Sequence, residues 1–145
     1  MKHILMLATG GTIASRETGQ GLAPAITSRE ILGYVPAIGE LCRVETIQLM
    51  NLDSSNLGPK HWLQIAQANE RHYDQYDGFV VTHGTDTMAY TAAALSYLVQ
   101  FSPKPVVLTG SQKSICLENT DARMNLSDSI AYACSEQAHG VSIVF

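Results

Sequence analysis

Apolar residues fall along this chain in two alternating rhythms, short unbroken runs and longer stretches spaced at three and four. Residues 4–9 form a nearly continuous apolar run ending at Gly10-Gly11, the pattern of a strand covered on both faces. Residues 44–50, 79–82 and 105–109 read as further strands, and residues 140–145 as a last one. Helical segments lie between them. Thr27-Ser28-Arg29-Glu30 has the spacing of a capping box with Thr27 as N-cap, which opens a short helix through about Tyr34, stopped before Pro36. Pro59 suits the first turn of the next helix, where its missing N–H costs nothing. Trp62, Ile65, Ala66, Asn69 and Tyr73 then mark one helical face. Asp77-Gly78 turns into the third strand, and an alanine-rich helix is predicted over 88–101. Residues 111–119 read as a loop, after which Asp121 caps a final helix to about residue 136.

Strands alternating with helices at this spacing imply crossover connections and a parallel sheet. The predicted fold is α/β, an open, mainly parallel sheet flanked by helices. With no internal repeat, linker or low-complexity stretch, residues 1–145 read as one domain. In open sheets of this kind ligands bind outside the carboxyl ends of the strands, near the point where the strand order reverses. The segments leaving the strands are 9–14, 52–56, 82–87 and 109–113, and they are rich in Thr, Ser, Asp and Gly. Polar chemistry therefore sits where such a fold places a site.

Composition narrows the function. A net charge of −4 argues against nucleic acid as a partner, because phosphate binding needs a basic surface. No apolar stretch approaches the roughly 20 residues that span a bilayer, and the N-terminal run is too short for a signal peptide. Three widely spaced cysteines without a CxxC point to a reduced, cytoplasmic setting. His3, His61, His72, His83 and His139 show no metal-binding spacing, so no metal site is expected, and surface or capping roles are expected for them.

Three loops carry candidate chemistry. Thr9-Gly10-Gly11-Thr12-Ile13-Ala14 offers a tight glycine turn with an exposed hydroxyl, which is either a reactive group or a plain strand-to-loop turn. It lacks the GxGxxG and GxxxxGK[ST] fingerprints of phosphate loops. Thr82-His83-Gly84-Thr85-Asp86-Thr87 adds a second hydroxyl with a carboxylate attached, although Thr85 or Asp86 could equally cap the following helix. A threonine hydroxyl is a poor nucleophile until a base takes its proton, so two such loops on one sheet edge belong together chemically. Asp53-Ser54-Ser55-Asn56 could hold the charged ends of an amino acid or form an Asx turn ahead of Pro59.

Together, Thr9-Gly10-Gly11-Thr12-Ile13-Ala14 and His83-Gly84-Thr85-Asp86-Thr87 resemble the two signature motifs of the bacterial L-asparaginase family, in the family's order. Leu49-Met50-Asn51-Leu52-Asp53-Ser54-Ser55, Tyr76-Asp77-Gly78-Phe79-Val80-Val81, Met88-Ala89-Tyr90-Thr91 and Leu108-Thr109-Gly110-Ser111-Gln112 resemble its cytoplasmic type I branch. The resemblance implies a flavodoxin-like three-layer domain that hydrolyses L-asparagine to aspartate and ammonia without a cofactor. It assigns Thr12 as nucleophile, Thr85 and Asp86 as proton-handling partners, and Asp53, Ser54, Ser55, Thr85 and Asp86 as substrate-binding residues. Backbone N–H groups around Thr12 and Thr85 would form the oxyanion hole, and residues 16–24, with Gly19 and Gly21, fall where the family has a mobile lid. The family's catalytic lysine lies beyond the strand matched by 140–145, so no residue here corresponds to it, and Lys113 does not inherit the role. A smaller C-terminal domain of the family is likewise unmatched, and a homo-oligomer or association with a C-terminal half is implied. Lys113-Ser114-Ile115-Cys116-Leu117-Glu118 departs from the apolar, proline-containing stretch expected there. The glutaminase component of tRNA-dependent amidotransferases shares both motifs but carries an extra N-terminal domain, and the start of this chain on its first strand favours the simple amidohydrolase. A non-catalytic amino-acid-binding or assembly fragment is the reading from a different class.

Overall fold

The computed structural model describes residues 1–19 and 21–145, with the side chain of Pro24 also left aside. Five strands form one parallel sheet: β1 (His3–Gly10), β4 (Arg43–Leu52), β5 (Gly78–Thr82), β6 (Pro105–Thr109) and β7 (Gly140–Ile143). Their spatial order is β4-β1-β5-β6-β7. The chain steps outward from β1 to β4, then returns past β1 and builds in the other direction. The order therefore reverses between β1 and β5, where Ile4 pairs with Gly78 and Ala8 with Thr82.

The unbroken apolar runs have their expected cause. Residues 4–10 of β1 and all of β5 and β6 are buried, because helices cover both faces of the sheet. Alternate side chains serve two cores. Ile4, Met6, Val80 and Val107 pack with Ile31, Ile38, Leu126 and Ile130, on the face covered by α1 (Ser28–Gly33), α2 (Ile38–Leu41) and α5 (Ala122–Cys134). Leu5, Leu7, Phe79, Val81 and Leu108 pack with Ile65, Met88 and Leu95, on the face of α3 (Pro59–His72) and α4 (Met88–Leu98). Each such side chain contributes about 1.5–3 kcal/mol of burial, so a one-residue slip of β1 would exchange both cores at once and is strongly disfavoured.

Local signals fixed several boundaries. Thr27 caps α1 in a full capping box with Glu30, and Pro59 opens α3 at its first turn. Residues 16–24, which match the family's lid by resemblance, lie in an antiparallel hairpin of β2 (Ser15–Thr18) and β3 (Gly21–Pro24); Gln20 lies outside the described residues. Two other expectations are corrected. Helix α4 stops at Leu98 rather than at Phe101, since Val99 leaves helical geometry and Phe101 takes a left-handed backbone with φ 56°. Asp121 precedes α5 without a side-chain cap bond. Its carboxylate instead accepts the N–H groups of Gln112 (2.8 Å) and Lys113 (3.0 Å), tying the loop after β6 to the helix. Those bonds hold its carboxyl below the ordinary value even though burial alone would raise it. Among the described residues no helix is long and apolar enough to cross a membrane.

Candidate functional site

The loops leaving β1, β4 and β5 meet at the strand-order reversal. At the end of β1 the backbone passes through Gly10 (φ 106°) and Gly11 (φ 78°), then makes a single 3-10 turn over Thr12–Ala14. Both glycines are required by contact as well as by conformation. A Cβ on Gly10 would sit 2.5 Å from the Leu52 nitrogen and oxygen, and one on Gly11 would sit 2.5 Å from the Gly84 Cα. The Gly11 N–H donates to the Leu52 carbonyl at 2.9 Å, which locks the β1 loop to the end of β4. The Ser15 hydroxyl donates to the Thr12 carbonyl (2.7 Å), holding the turn that carries the Thr12 side chain.

The β4 loop continues through a second 3-10 turn, Ser54–Asn56, capped by Asp53. The Asp53 carboxylate accepts the Ser55 hydroxyl (2.7 Å) and the Ser55 N–H (2.9 Å). Those two bonds, the hydroxyl first, hold the Asp53 carboxyl below its usual range. Ser54 is buried against Gly84, where an added Cβ would lie 2.7 Å from both the Ser54 Cβ and its Oγ. The Thr87 hydroxyl donates to the Ser54 carbonyl at 2.8 Å, joining the β4 loop to the start of α4. Thr87, rather than Thr85 or Asp86, occupies the N-cap position of α4, and the cap has no side-chain bond.

These contacts leave a recess of about 30 Å³ lined by Gly11, Thr12, Asp53, Ser54, Gly84, Thr85 and Asp86. Thr12, Asp53, Ser54, Thr85 and Asp86 are thus brought together from three separate segments. Ser55 is not in the wall; its hydroxyl is directed onto Asp53. The volume is about one water's share, so the recess is a polar notch and a bound amino acid would stand proud of it. Hydroxyls, backbone N–H groups and two carboxylates around one notch are the components of nucleophilic acyl transfer.

A larger open groove, about 650 Å³, lies between α3 and the end of α4, walled in part by Leu63, Tyr73, Leu98 and Phe101. It sits toward the amino ends of the strands, away from the carboxyl ends where such sheets bind ligands, so size does not make it the reacting centre. No group of three or more His, Cys, Asp and Glu side chains among the described residues is placed to hold a metal ion.

His83 departs from the surface or capping role expected of it. It is fully buried beneath the notch, and burial pushes its imidazole below the ordinary value. Local spacing could not show this, because its Nε2 partner Thr91 lies in α4 and is itself bound by Trp62 of α3. His61 does act at a helix start, where its Nδ1 accepts the Gly58 N–H at 3.0 Å.

The chain is thus an α/β protein with a hydroxyl-and-carboxylate notch at its strand-order reversal. The N-terminal asparaginase family model matches residues 3–145, and the chain belongs to the asparaginase family. It is 44% identical over 131 residues to the L-asparaginase of Thermococcus kodakarensis, covering 90% of this chain and 40% of that protein. It is 45% identical over 142 residues to a component of the glutamyl-tRNA(Gln) amidotransferase of Pyrococcus abyssi, covering 95% of this chain and 32% of that protein. The solved thermostable L-asparaginase of T. kodakarensis superposes with TM-score 0.82 at 38% identity, over 99% of this chain and 44% of that one. A probable cytoplasmic L-asparaginase from Campylobacter jejuni gives TM-score 0.86 at 34% identity, again over 99% of this chain and 44% of the other. The chain thus spans less than half the length of these relatives.

Proposed function

We propose that this chain is the catalytic N-terminal domain of an L-asparagine amidohydrolase. The observation that carries the reading is the notch that gathers Thr12, Asp53, Ser54, Thr85 and Asp86 from three loops at the strand-order reversal. The Thr12 Oγ attacks the side-chain amide carbon of asparagine, its proton passes through the Thr85–Asp86 pair to the departing nitrogen, and the carbon–nitrogen bond breaks to release ammonia. Water then cleaves the resulting ester, releasing aspartate and restoring the hydroxyl. Asp53 and Asp86 receive the substrate α-amino group, Ser54 the α-carboxylate, and Ser55 orients Asp53. Backbone N–H groups beside Thr12 and Thr85 stabilise the oxyanion. A notch this small needs cover from further groups; by family resemblance these are a lysine, a smaller C-terminal domain and a neighbouring copy in a cytoplasmic homo-oligomer.

The near-equal identity to the amidotransferase relative supports a second reading, in which the same notch frees ammonia from glutamine for transfer. Ammonia release from L-asparagine and L-glutamine, measured side by side, separates them. Faster release from asparagine is expected. Faster release from glutamine supports the second reading, and L-aspartate binding without turnover of either amide would sink both in favour of a binding domain.

A further inference from the structure

The loop carrying Thr85 is held from below by a chain of hydrogen bonds that the reaction scheme does not use. The His83 ring spans two partners: its Nδ1 lies 2.6 Å from the Gly84 carbonyl and its Nε2 lies 2.8 Å from the Thr91 hydroxyl. The Trp62 indole N–H donates to that same hydroxyl at 3.0 Å. A carbonyl oxygen only accepts, so the neutral His83 carries its proton on Nδ1. Its Nε2 must then accept, and the Thr91 hydroxyl must donate to it. The Trp62 indole can only donate, so it completes a single direction of donation: Trp62 to Thr91, Thr91 to His83, His83 to Gly84.

His83 and Thr91 are both fully buried, so these bonds are shielded from water and each unmade partner would be costly. The backbone packs just as closely. A Cβ on Gly110 would overlap the His83 carbonyl, and one on Gly84 would overlap Ser54. The His83 N–H donates to the Thr109 carbonyl at 2.8 Å. In a trans peptide the carbonyl and the following N–H point in opposite directions. Drawing the Gly84 carbonyl inward to His83 therefore aims the Thr85 N–H outward, on the side of the notch lined by Gly84 and Thr85. Among the described residues no backbone carbonyl accepts from that N–H.

We infer that Trp62, Thr91 and His83 form a one-way hydrogen-bond relay that orients the Gly84–Thr85 peptide, so that the Thr85 N–H is presented to the oxyanion of an amide under attack. The three are positioning residues, and the oxyanion role rests on the proposed amidohydrolase reading. Preorganised donors of this kind act because they need no reorientation at the moment of reaction.

The test uses the chain, Thr91→Val, which keeps the shape and removes the hydroxyl, and Thr91→Ser, which keeps the hydroxyl. Nitrogen-15 NMR of the His83 ring should show the Nδ1–H tautomer in the parent at neutral pH. Thr91→Val should shift the Thr85 amide resonance and lower kcat for ammonia release from L-asparagine by about tenfold or more. KM should change less than about twofold, the pattern of an interaction made only in the transition state. Thr91→Ser should recover most of both properties. Should Thr91→Val fold poorly, Trp62→Phe removes only the outer donor and should move the same readouts less. An Nε2–H tautomer in the parent, or Thr91→Val indistinguishable from Thr91→Ser, would overturn the relay. If the parent frees no ammonia, the chain by itself is an incomplete enzyme, and the tautomer and the Thr85 amide resonance decide the relay.

Discussion

Replacing Gly11 with alanine probes the junction on which the site depends. Gly11 has φ 78° and ψ −177°, a backbone region essentially reserved for glycine. Holding alanine there costs about 1–3 kcal/mol. The new methyl would also meet the Gly84 nitrogen and, at 2.5 Å, the Gly84 Cα. These are backbone atoms, so no rotamer change relieves the overlap, and overpacking of this kind costs a further ~1–3 kcal/mol. Together the two effects predict a loss of about 2–6 kcal/mol, a large part of the 5–15 kcal/mol typical of a domain. At about 2–4 °C per kcal/mol, Tm should fall by roughly 10 °C. Urea unfolding followed by Trp62 fluorescence supplies the free energy directly. Gly33→Ala is the internal control: Gly33 lies in α1 with nothing within 4 Å of an added Cβ, so that change should be neutral or stabilising by up to ~1 kcal/mol. A Gly11→Ala loss under about 1 kcal/mol, or equal effects at both positions, would refute the close backbone packing of the two loops.

Three further outcomes are expected. Asp121→Ala leaves the Gln112 and Lys113 N–H groups without their acceptor, and should cost about 1–3 kcal/mol while speeding amide exchange across the loop after β6. Unchanged exchange there would remove Asp121 from its tethering role. Leu126→Ala empties a fully buried position between α5 and the sheet and should cost about 2–5 kcal/mol in urea unfolding, against under ~0.5 kcal/mol for exposed Met124→Ala. Acidification should weaken the fold in two stages. Burial lowers the folded-state value of His83, so the unfolded chain takes up a proton first; that stability is complete above about pH 6.5 and declines toward the lower folded value, by at most about 1.4 kcal/mol per pH unit. The lowered carboxyls of Asp53 and Asp121 act by the same sign nearer pH 4, with stability present above their unfolded values and lost as pH falls through the folded ones. Unfolding midpoints at pH 7 and 5 that agree in the parent chain would contradict the His83 part.

Much of this architecture was readable in the sequence because its causes are local. The unbroken apolar runs of β1, β5 and β6 follow from two-sided burial, and the Thr27–Glu30 box and Pro59 act within a single turn. The polar loops at 9–14, 52–56 and 82–87 meet at the notch because a parallel sheet brings strand ends together. What stayed hidden depends on contacts distant in sequence. His83 finds its Nε2 partner in Thr91 of α4, whose hydroxyl is also bound by Trp62 from α3, and the Asp121 carboxylate ties back a loop nine residues before it. Ser55 carries the same polar chemistry as Ser54, yet the 3-10 turn directs it to Asp53 and buries Ser54 beneath Gly84. The hairpin β2–β3 has no apolar alternation to betray it, since three of the four residues of β2 are exposed.

The central claim is that one notch, built from three strand-end loops, cleaves a side-chain amide through Thr12. Its most direct test is mass spectrometry of the chain rapidly quenched with L-asparagine, compared with Thr12→Ala under the same conditions. An aspartyl ester on the peptide that contains Thr12, absent from the variant, is the predicted result. Ammonia released as fast by Thr12→Ala as by the parent, with no adduct in either, would contradict it.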